Sequence, residues 1–398
     1  MTLHHSTKQK FKRVLICLCV IAGAPFVSAW VIKSLPAISA AAAKAASFSA
    51  VLNFGEMYPP EEYFSSQNES SSQTEETEVF LDDRIMLSEG MPYEYNAAEN
   101  EDALKPDETE STYKGPSPYP ESIETHSGTI TAMAYLEQDG KQFFDLEKFG
   151  QVRNATEIPM SKLIEESKKL PEFKIDISDE EGKTSEPQVL IMHTHTTESF
   201  EPYARDFYDA SFNSRTTDES KNVVSVGNAI EKELTSQGIG VIHDKTVHDY
   251  PSYNGSYDRS RATVKAILAQ HPSIKVVLDI HRDAIEREGG ERIAPTVTVD
   301  GKQAAQVMII SGCDNGTMNM PNYLKNFRLA SLFQQQLEGD YPGLTRPVLF
   351  TYKKYNQDLT TGSLLIEVGG HANSVEQAQY SGELVGKSLA NALKGIST

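Results

Sequence analysis

Cysteine is scarce in this chain of 398 residues: there are three, and Cys17 and Cys19 both stand inside one apolar run near the N-terminus. That leaves Cys313 alone, which excludes an intramolecular disulfide framework and a cysteine-rich zinc site outside the run. Leu15-Ile16-Cys17 also lacks the small residue that precedes a lipidated cysteine. Basic charge is missing where the chain is most polar. Between about Glu56 and Glu124 only Arg84, Lys105 and Lys114 oppose the many Asp and Glu residues, so most of the formal charge of −19 lies there. The remainder is nearly balanced and offers no basic footprint for nucleic acid. Stability must come from an ordinary core, for which a 39% hydrophobic composition is adequate.

At the N-terminus, Lys8, Lys10, Lys12 and Arg13 precede an apolar run from Val14 to Ile32, about the length that crosses a bilayer. Basic residues before a span keep that end in the cytoplasm, so residues 1–33 are predicted to be a membrane anchor with the rest of the chain outside. Val27-Ser28-Ala29 resembles a signal-peptide cleavage site, but the length of the run, with Trp30 and Lys33 at its outer edge, favours an anchor that is retained. Residues 34–128 are rich in Ala, Ser, Glu, Asn, Tyr and Pro and include the tract from Ser65 to Ser72. They bury too little apolar surface to offset ordering entropy, which predicts a disordered acidic spacer.

Residues 129–184 form a lead-in with one predicted helix, Ser161 to Leu170, stopped by Pro171. From residue 185 to the end, strand and helix patterns alternate. Strands are predicted at Val189 to His193, Ile239 to Ile242, Ile274 to Ile280 and Leu364 to Val368. Helices are predicted before Gly238, at Ser260 to His271, at Asn322 to Leu337 and at Ser374 to Leu393. Asp300-Gly301 suits a tight hairpin turn between Thr296 to Val299 and Ala304 to Ser311. The fold class is therefore α/β, a mostly parallel sheet with helices on both faces.

Three apolar runs stop on residues that bind metals or move protons: Val189 to His195, Val276 to Asp283, and Ser363 to Gly370. In an α/β sheet the carboxyl ends of parallel strands open onto one crevice. His193-Thr194-His195 with Glu198 supplies imidazole and carboxylate, the donors that zinc takes in catalytic sites. His281 ends a strand interrupted by Asp279. Glu367 sits in so apolar a strand that it must be paired, hydrogen-bonded or neutralised, and such burial raises a carboxyl towards useful general-base strength. Asp218 and Glu219 precede a helix, where capping and the helix dipole also favour them. His243, His248, Asp249 and Tyr355-Asn356-Gln357 lie between elements, where surface polarity accounts for them as well as a groove does.

With these residues in hand, the chain resembles the stage II sporulation protein P family of membrane-anchored peptidoglycan hydrolases. The likeness rests on His193 to Ser199, Asp279 to Ala284, Tyr355-Asn356-Gln357 and Ile366 to Gly370, and it covers roughly Thr129 to the C-terminus. That family is related to zinc-dependent N-acetylmuramoyl-L-alanine amidases. The resemblance implies a Zn2+ site with His195, Asp218 and His281 as ligands, Glu367 as catalytic base, and Arg282 on an oxyanion or a substrate carboxylate. Asp218 departs from the glutamate of the amidases, with Glu198 as its competitor. The implied reaction is cleavage of the amide joining N-acetylmuramic acid to L-alanine, with stem-peptide cross-links as a further substrate. The implied setting is the mother-cell membrane during engulfment, beside stage II sporulation proteins D and M. Metallocarboxypeptidases and other zinc deacylases share these ligand types. A non-catalytic tethered scaffold is the contrasting class, against which the intact His195, His281 and Glu367 stand.

Overall fold

A computed structural model describes residue 116, residues 125–287 and residues 289–397. The predicted anchor and nearly all of the predicted spacer lie outside these residues. Among the described residues no helix is long and apolar enough to cross a membrane.

Eight strands make the larger sheet in the order β2 (Phe143–Asp145), β3 (Gln151–Ala155), β11 (Val348–Thr351), β10 (Val307–Gly312), β12 (Ser363–Gly370), β7 (Val276–Asp283), β4 (Pro187–Met192) and β6 (Gly240–His243). The expectation of a mostly parallel sheet needs refinement, because the sheet is mixed. Its centre, β12-β7-β4-β6, is parallel throughout, but β10 runs antiparallel to β12 and β2 antiparallel to β3. The cause lies in the hairpin. β8 (Arg292–Val299) and β9 (Lys302–Ala305) turn through Asp300 and Gly301, both at positive φ, as an Asp-Gly turn requires. The chain then leaves the hairpin at Gln306 and enters the large sheet as β10, so the predicted second arm is split between two sheets. The smaller sheet has the order β5 (Phe207–Tyr208), β1 (Gly128–Met133), β8, β9.

Helix α1 (Met160–Ser167), α2 (Val223–Ser236), α4 (Tyr323–Asp340) and α5 (Val375–Lys394) supply the large apolar cluster on one face of the big sheet. Asn222 caps α2 by accepting from the Val224 N–H, and Ser374 with Gln377 forms a capping box on α5. Helix α3 (Ser256–Gln270) covers part of the other face through Val264, Ile267 and Leu268. Alternation along the strands decides which side chain goes where. Val276, Leu278 and Ile280 of β7 and Leu364, Ile366 and Val368 of β12 enter the large cluster. Their odd-numbered neighbours, Asp279, His281, Leu365 and Glu367, consequently line the face that α3 shares.

Candidate active site

β12 and β7 are parallel neighbours in a register that sets Glu367 opposite His281 and Leu365 opposite Asp279. All three polar side chains are buried on one face. Beyond Glu367 the register shifts, and Gly369 takes φ +68° where a Cβ would lie 2.7 Å from Ala305 Cβ and Asn373 Oδ1. Glycine at 369 lets the strand shift register just after its carboxylate.

The two histidines of His193-Thr194-His195 part company. His193 still follows the strand alternation and turns to the α2 side, where Nδ1 lies 3.0 Å from Ile280 O and Nε2 lies 2.9 Å from His243 Nε2. Gly227 makes room there, since a Cβ would stand 2.5 Å from His243 Nε2. Burial pushes His193 down to about 4, and burial together with His193 pushes His243 down to about 2. His195 lies past the end of β4 and swings towards β7. Its ring meets that of His281 edge to face at 5.2 Å and stacks on Tyr253 at 4.6 Å. Nε2 is 3.1 Å from the Tyr253 hydroxyl and Nδ1 is 3.4 Å from Ser256 Oγ. Burial lowers its affinity for a proton.

His281 lies between two carboxylates. Its Nε2 is 2.9 Å from Asp279 Oδ1 and its Nδ1 is 3.4 Å from Glu198 Oε2, yet neither ring nitrogen makes a hydrogen bond of acceptable direction. Although burial works the other way, the two carboxylates hold its pKa well above the ordinary imidazole range. Asp279 is anchored by Thr194, whose N–H and Oγ1 donate to Oδ1 and Oδ2 at 2.8 and 2.7 Å. Glu367 is held well above the usual carboxyl range by burial first and by the nearby Asp283 second, and its Oε2 has no hydrogen-bond partner.

Glu198 arrives from the loop after β4. The Val223 N–H at the start of α2 donates to its carbonyl at 2.9 Å, and the Arg282 N–H donates to its Oε2 at 3.1 Å. Although it lies far from α2 in sequence, Glu198 thus occupies the space beside that helix's N-terminus. Asp218 is not brought to the cluster. It is exposed and accepts from the N–H and Oγ of Ser220 at 2.9 and 2.7 Å, a local turn that also lowers its pKa. Glu219 is likewise exposed. Arg282 belongs to the opposite parity of β7 and points away from His281. Its Nε and Nη2 donate to the carbonyls of Ser199 and Ser214, while Asp283 pairs with Arg346 at 2.8 Å. Arg282 therefore braces the loop that carries Glu198.

Arg215, Tyr253 and Tyr257 carry no signal of their own in the sequence, whereas Asp249 and His248 are among the candidates between elements. Arg215 is buried, donates to Asp249 Oδ2 at 2.9 Å, reaches within 3.9 Å of Glu198 Oε1 and lies over the Tyr253 ring. Asp249 also accepts from the Thr197 N–H and Oγ1. His248 instead holds the loop, with Nδ1 2.8 Å from His193 O. Tyr257, in the first turn of α3, sets its ring 5.5 Å from that of His195.

Among the described residues no three His, Cys, Asp or Glu side chains are already drawn together as a complete metal cage. The donor chemistry nevertheless suits a divalent ion. Two ligands on one tetrahedral zinc, each about 2.0–2.1 Å from it, stand roughly 3.3 Å apart, and His281 Nδ1 lies 3.4 Å from Glu198 Oε2. The buried Glu367 oxygen that lacks a hydrogen-bond partner is costly unless something binds it, and the His281 nitrogens face carboxylates without a well-directed hydrogen bond. Asp279 stands where the orienting carboxylate of a ligating histidine stands.

The family model for stage II sporulation protein P matches residues 121–390. The chain belongs to that family. Stage II sporulation protein P of Bacillus subtilis (strain 168) is 34% identical over 204 residues, covering 48% of this chain and 47% of that protein. The chain thus spans about half the length of this curated family member. Among solved structures, the CwlD amidase of Clostridioides difficile in complex with the GerS lipoprotein is 12% identical and covers 52% of this chain and 98% of its own, with a TM-score of 0.35. N-acetylmuramoyl-L-alanine amidase AmiC2 of Nostoc punctiforme is 10% identical over 53% of this chain and 97% of its own, with a TM-score of 0.31.

Proposed function

We propose that this member of the stage II sporulation protein P family is a zinc-dependent peptidoglycan hydrolase that cleaves the amide between the lactyl group of N-acetylmuramic acid and L-alanine. One observation carries the reading: His195 and Glu198 from the loop after β4, His281 from β7 and Glu367 from β12 meet in one buried cluster at the rim of the parallel strands. His195, His281 and Glu198 would hold the ion, Glu198 taking the place the sequence offered to Asp218. When bound, zinc lowers the pKa of a water from about 16 to near 7 and polarises a carbonyl.

Every other task falls to the chain. Asp279 fixes the His281 ring, and Arg215 and the Arg282 N–H hold the Glu198 carboxylate. Glu367, raised by burial, takes a proton from the attacking water and delivers it to the leaving amine. The same chemistry extends to stem-peptide cross-links. The N-terminal run as membrane anchor, action at the mother-cell membrane during engulfment, and partnership with stage II sporulation proteins D and M complete the proposal.

Glu367→Gln tests it. The expected outcome is stoichiometric zinc in the purified chain and at least a ~10³-fold loss in release of stem peptides from purified cell wall, read by mass spectrometry of the products. Wild-type release in that variant removes Glu367 as the base. Release of C-terminal amino acids from stem peptides, with intact lactyl–alanine bonds, would move the chain to the carboxypeptidase or deacylase reading.

A further inference from the structure

The sequence pattern around Tyr355-Asn356-Gln357 is only partly absorbed by the site as described. Gln357 is structural: its Nε2 donates to Ile310 O and its Oε1 accepts from the Gly312 N–H. Tyr355 and Asn356, however, are two consecutive non-glycine residues at positive φ, +45° and +54°. Such backbone is costly and persists where its surroundings enforce it, often at functional sites. Here the enforcement comes from α3. Arg261 donates to Asn356 Oδ1 at 3.1 Å and forms a two-pronged pair with Asp358 at 2.7 and 2.6 Å.

The strained pair acts on a single target. Asn356 Nδ2 donates to the carbonyl of Tyr257 at 2.9 Å and to Ser260 Oγ at 3.1 Å. Ser260 Oγ in turn meets Thr194 Oγ1 at 2.9 Å, and Thr194 anchors Asp279. The Tyr355 ring packs at 5.5 Å on the Tyr257 ring, which meets His195 edge to face at the same separation. Tyr257 is thereby locked to the cluster through its backbone, its ring and its helix.

Its hydroxyl is the exception. It is buried and has no hydrogen-bond partner, although the carboxylates of Asp279 and Glu367 are near enough to influence it. Leaving a buried hydroxyl unsatisfied costs free energy. A rigidly positioned donor with no acceptor, buried on a ring that meets His195, has the character of a group preorganised for charge that develops only during reaction.

Resting on the hydrolase reading above, we propose that Tyr257 is a catalytic residue whose O–H donates a hydrogen bond to the carbonyl oxygen of the scissile amide as that oxygen becomes negative. The reaction remains a hydrolysis. The water oxygen bonds to the carbonyl carbon, the C–N bond breaks with its electron pair going to nitrogen, and the proton carried by Glu367 ends on the amine. Tyr257 lends a hydrogen bond and keeps its proton throughout.

The test is Tyr257→Phe in the full-length chain, which removes one oxygen atom. Removing one oxyanion donor costs on the order of 100-fold in kcat. The expected result is a loss of about that size in stem-peptide release, with KM within about twofold and zinc content unchanged. Affinity for a phosphinate analogue of the lactyl–alanine bond, read by calorimetry without turnover, should fall by a similar factor. The melting temperature should stay level or rise, because an unsatisfied buried hydroxyl has been removed; a structural tyrosine would show the reverse. Unchanged kcat and phosphinate affinity, or a loss confined to KM, would overturn the assignment while leaving the hydrolase reading intact. A wild-type chain that releases no stem peptide at all would overturn both.

Discussion

The two faces of the central sheet are built from the same strands and serve opposite ends. Towards α2, α4 and α5, strands β7 and β12 present Val276, Leu278, Ile280, Leu364, Ile366 and Val368, all buried in one apolar cluster. Towards α3 the intervening positions hold Asp279, His281, Asp283 and Glu367, equally buried but rich in unpartnered polar atoms. Burial of an aliphatic side chain contributes roughly 1.5–3 kcal/mol, whereas a buried polar atom without a partner costs free energy. One face therefore supplies stability, and the other uses part of it to hold chemistry in place.

Substitutions on adjacent residues can break this contrast. The largest effect on folding is expected from Ile280→Ala, about 2–5 kcal/mol lower stability by chemical denaturation, with zinc affinity of the folded fraction unchanged. Asp279→Asn, one residue away on the other face, takes a carboxylate from the buried His281 pair and should also lower stability, but less than Ile280→Ala. Its distinguishing effect should be a 10–100-fold weaker zinc affinity, the usual consequence of losing the carboxylate behind a ligating histidine; equal zinc affinity in the two variants would erase the division of labour. The smallest effect belongs to Asp218→Ala, where loss of a local turn costs under about 1 kcal/mol and zinc stoichiometry measured by mass spectrometry should not change. A zinc-free Asp218→Ala chain would return that residue to the metal and displace Glu198.

Much of this contrast is legible in sequence because both of its signals are local. A strand of Val, Leu and Ile that ends on His or Glu announces a buried polar group, and His281, Glu367 and the His193–His195 pair were found that way. Parity along β7 also explains why Arg282 does not join them. Asp218 illustrates the limit. Its position before α2 invites a capping or a ligand role, yet Asn222 caps the helix while Asp218 accepts from Ser220 in a local turn.

What escaped prediction depends on contacts between distant segments. Arg215 lies in a loop without periodicity, and its value comes from Asp249 and Glu198. Tyr257 lay outside the predicted helix Ser260 to His271, because α3 starts at Ser256 behind Gly255, a left-handed residue that makes no side-chain cap. β11 is only four residues long, and the reversed direction of β10 follows from where the preceding hairpin releases the chain. Strand order and direction are properties of packing, to which a one-dimensional pattern is blind.

The paired register of Glu367 with His281 also constrains how this domain can vary. Deleting one residue before His281 in β7 would put Arg282 opposite Glu367 and inserting one would put Ile280 there, so a single length change would ruin core and cluster together. The central strands can tolerate replacement but not indels, and drift in chain length has to be absorbed by the connecting loops.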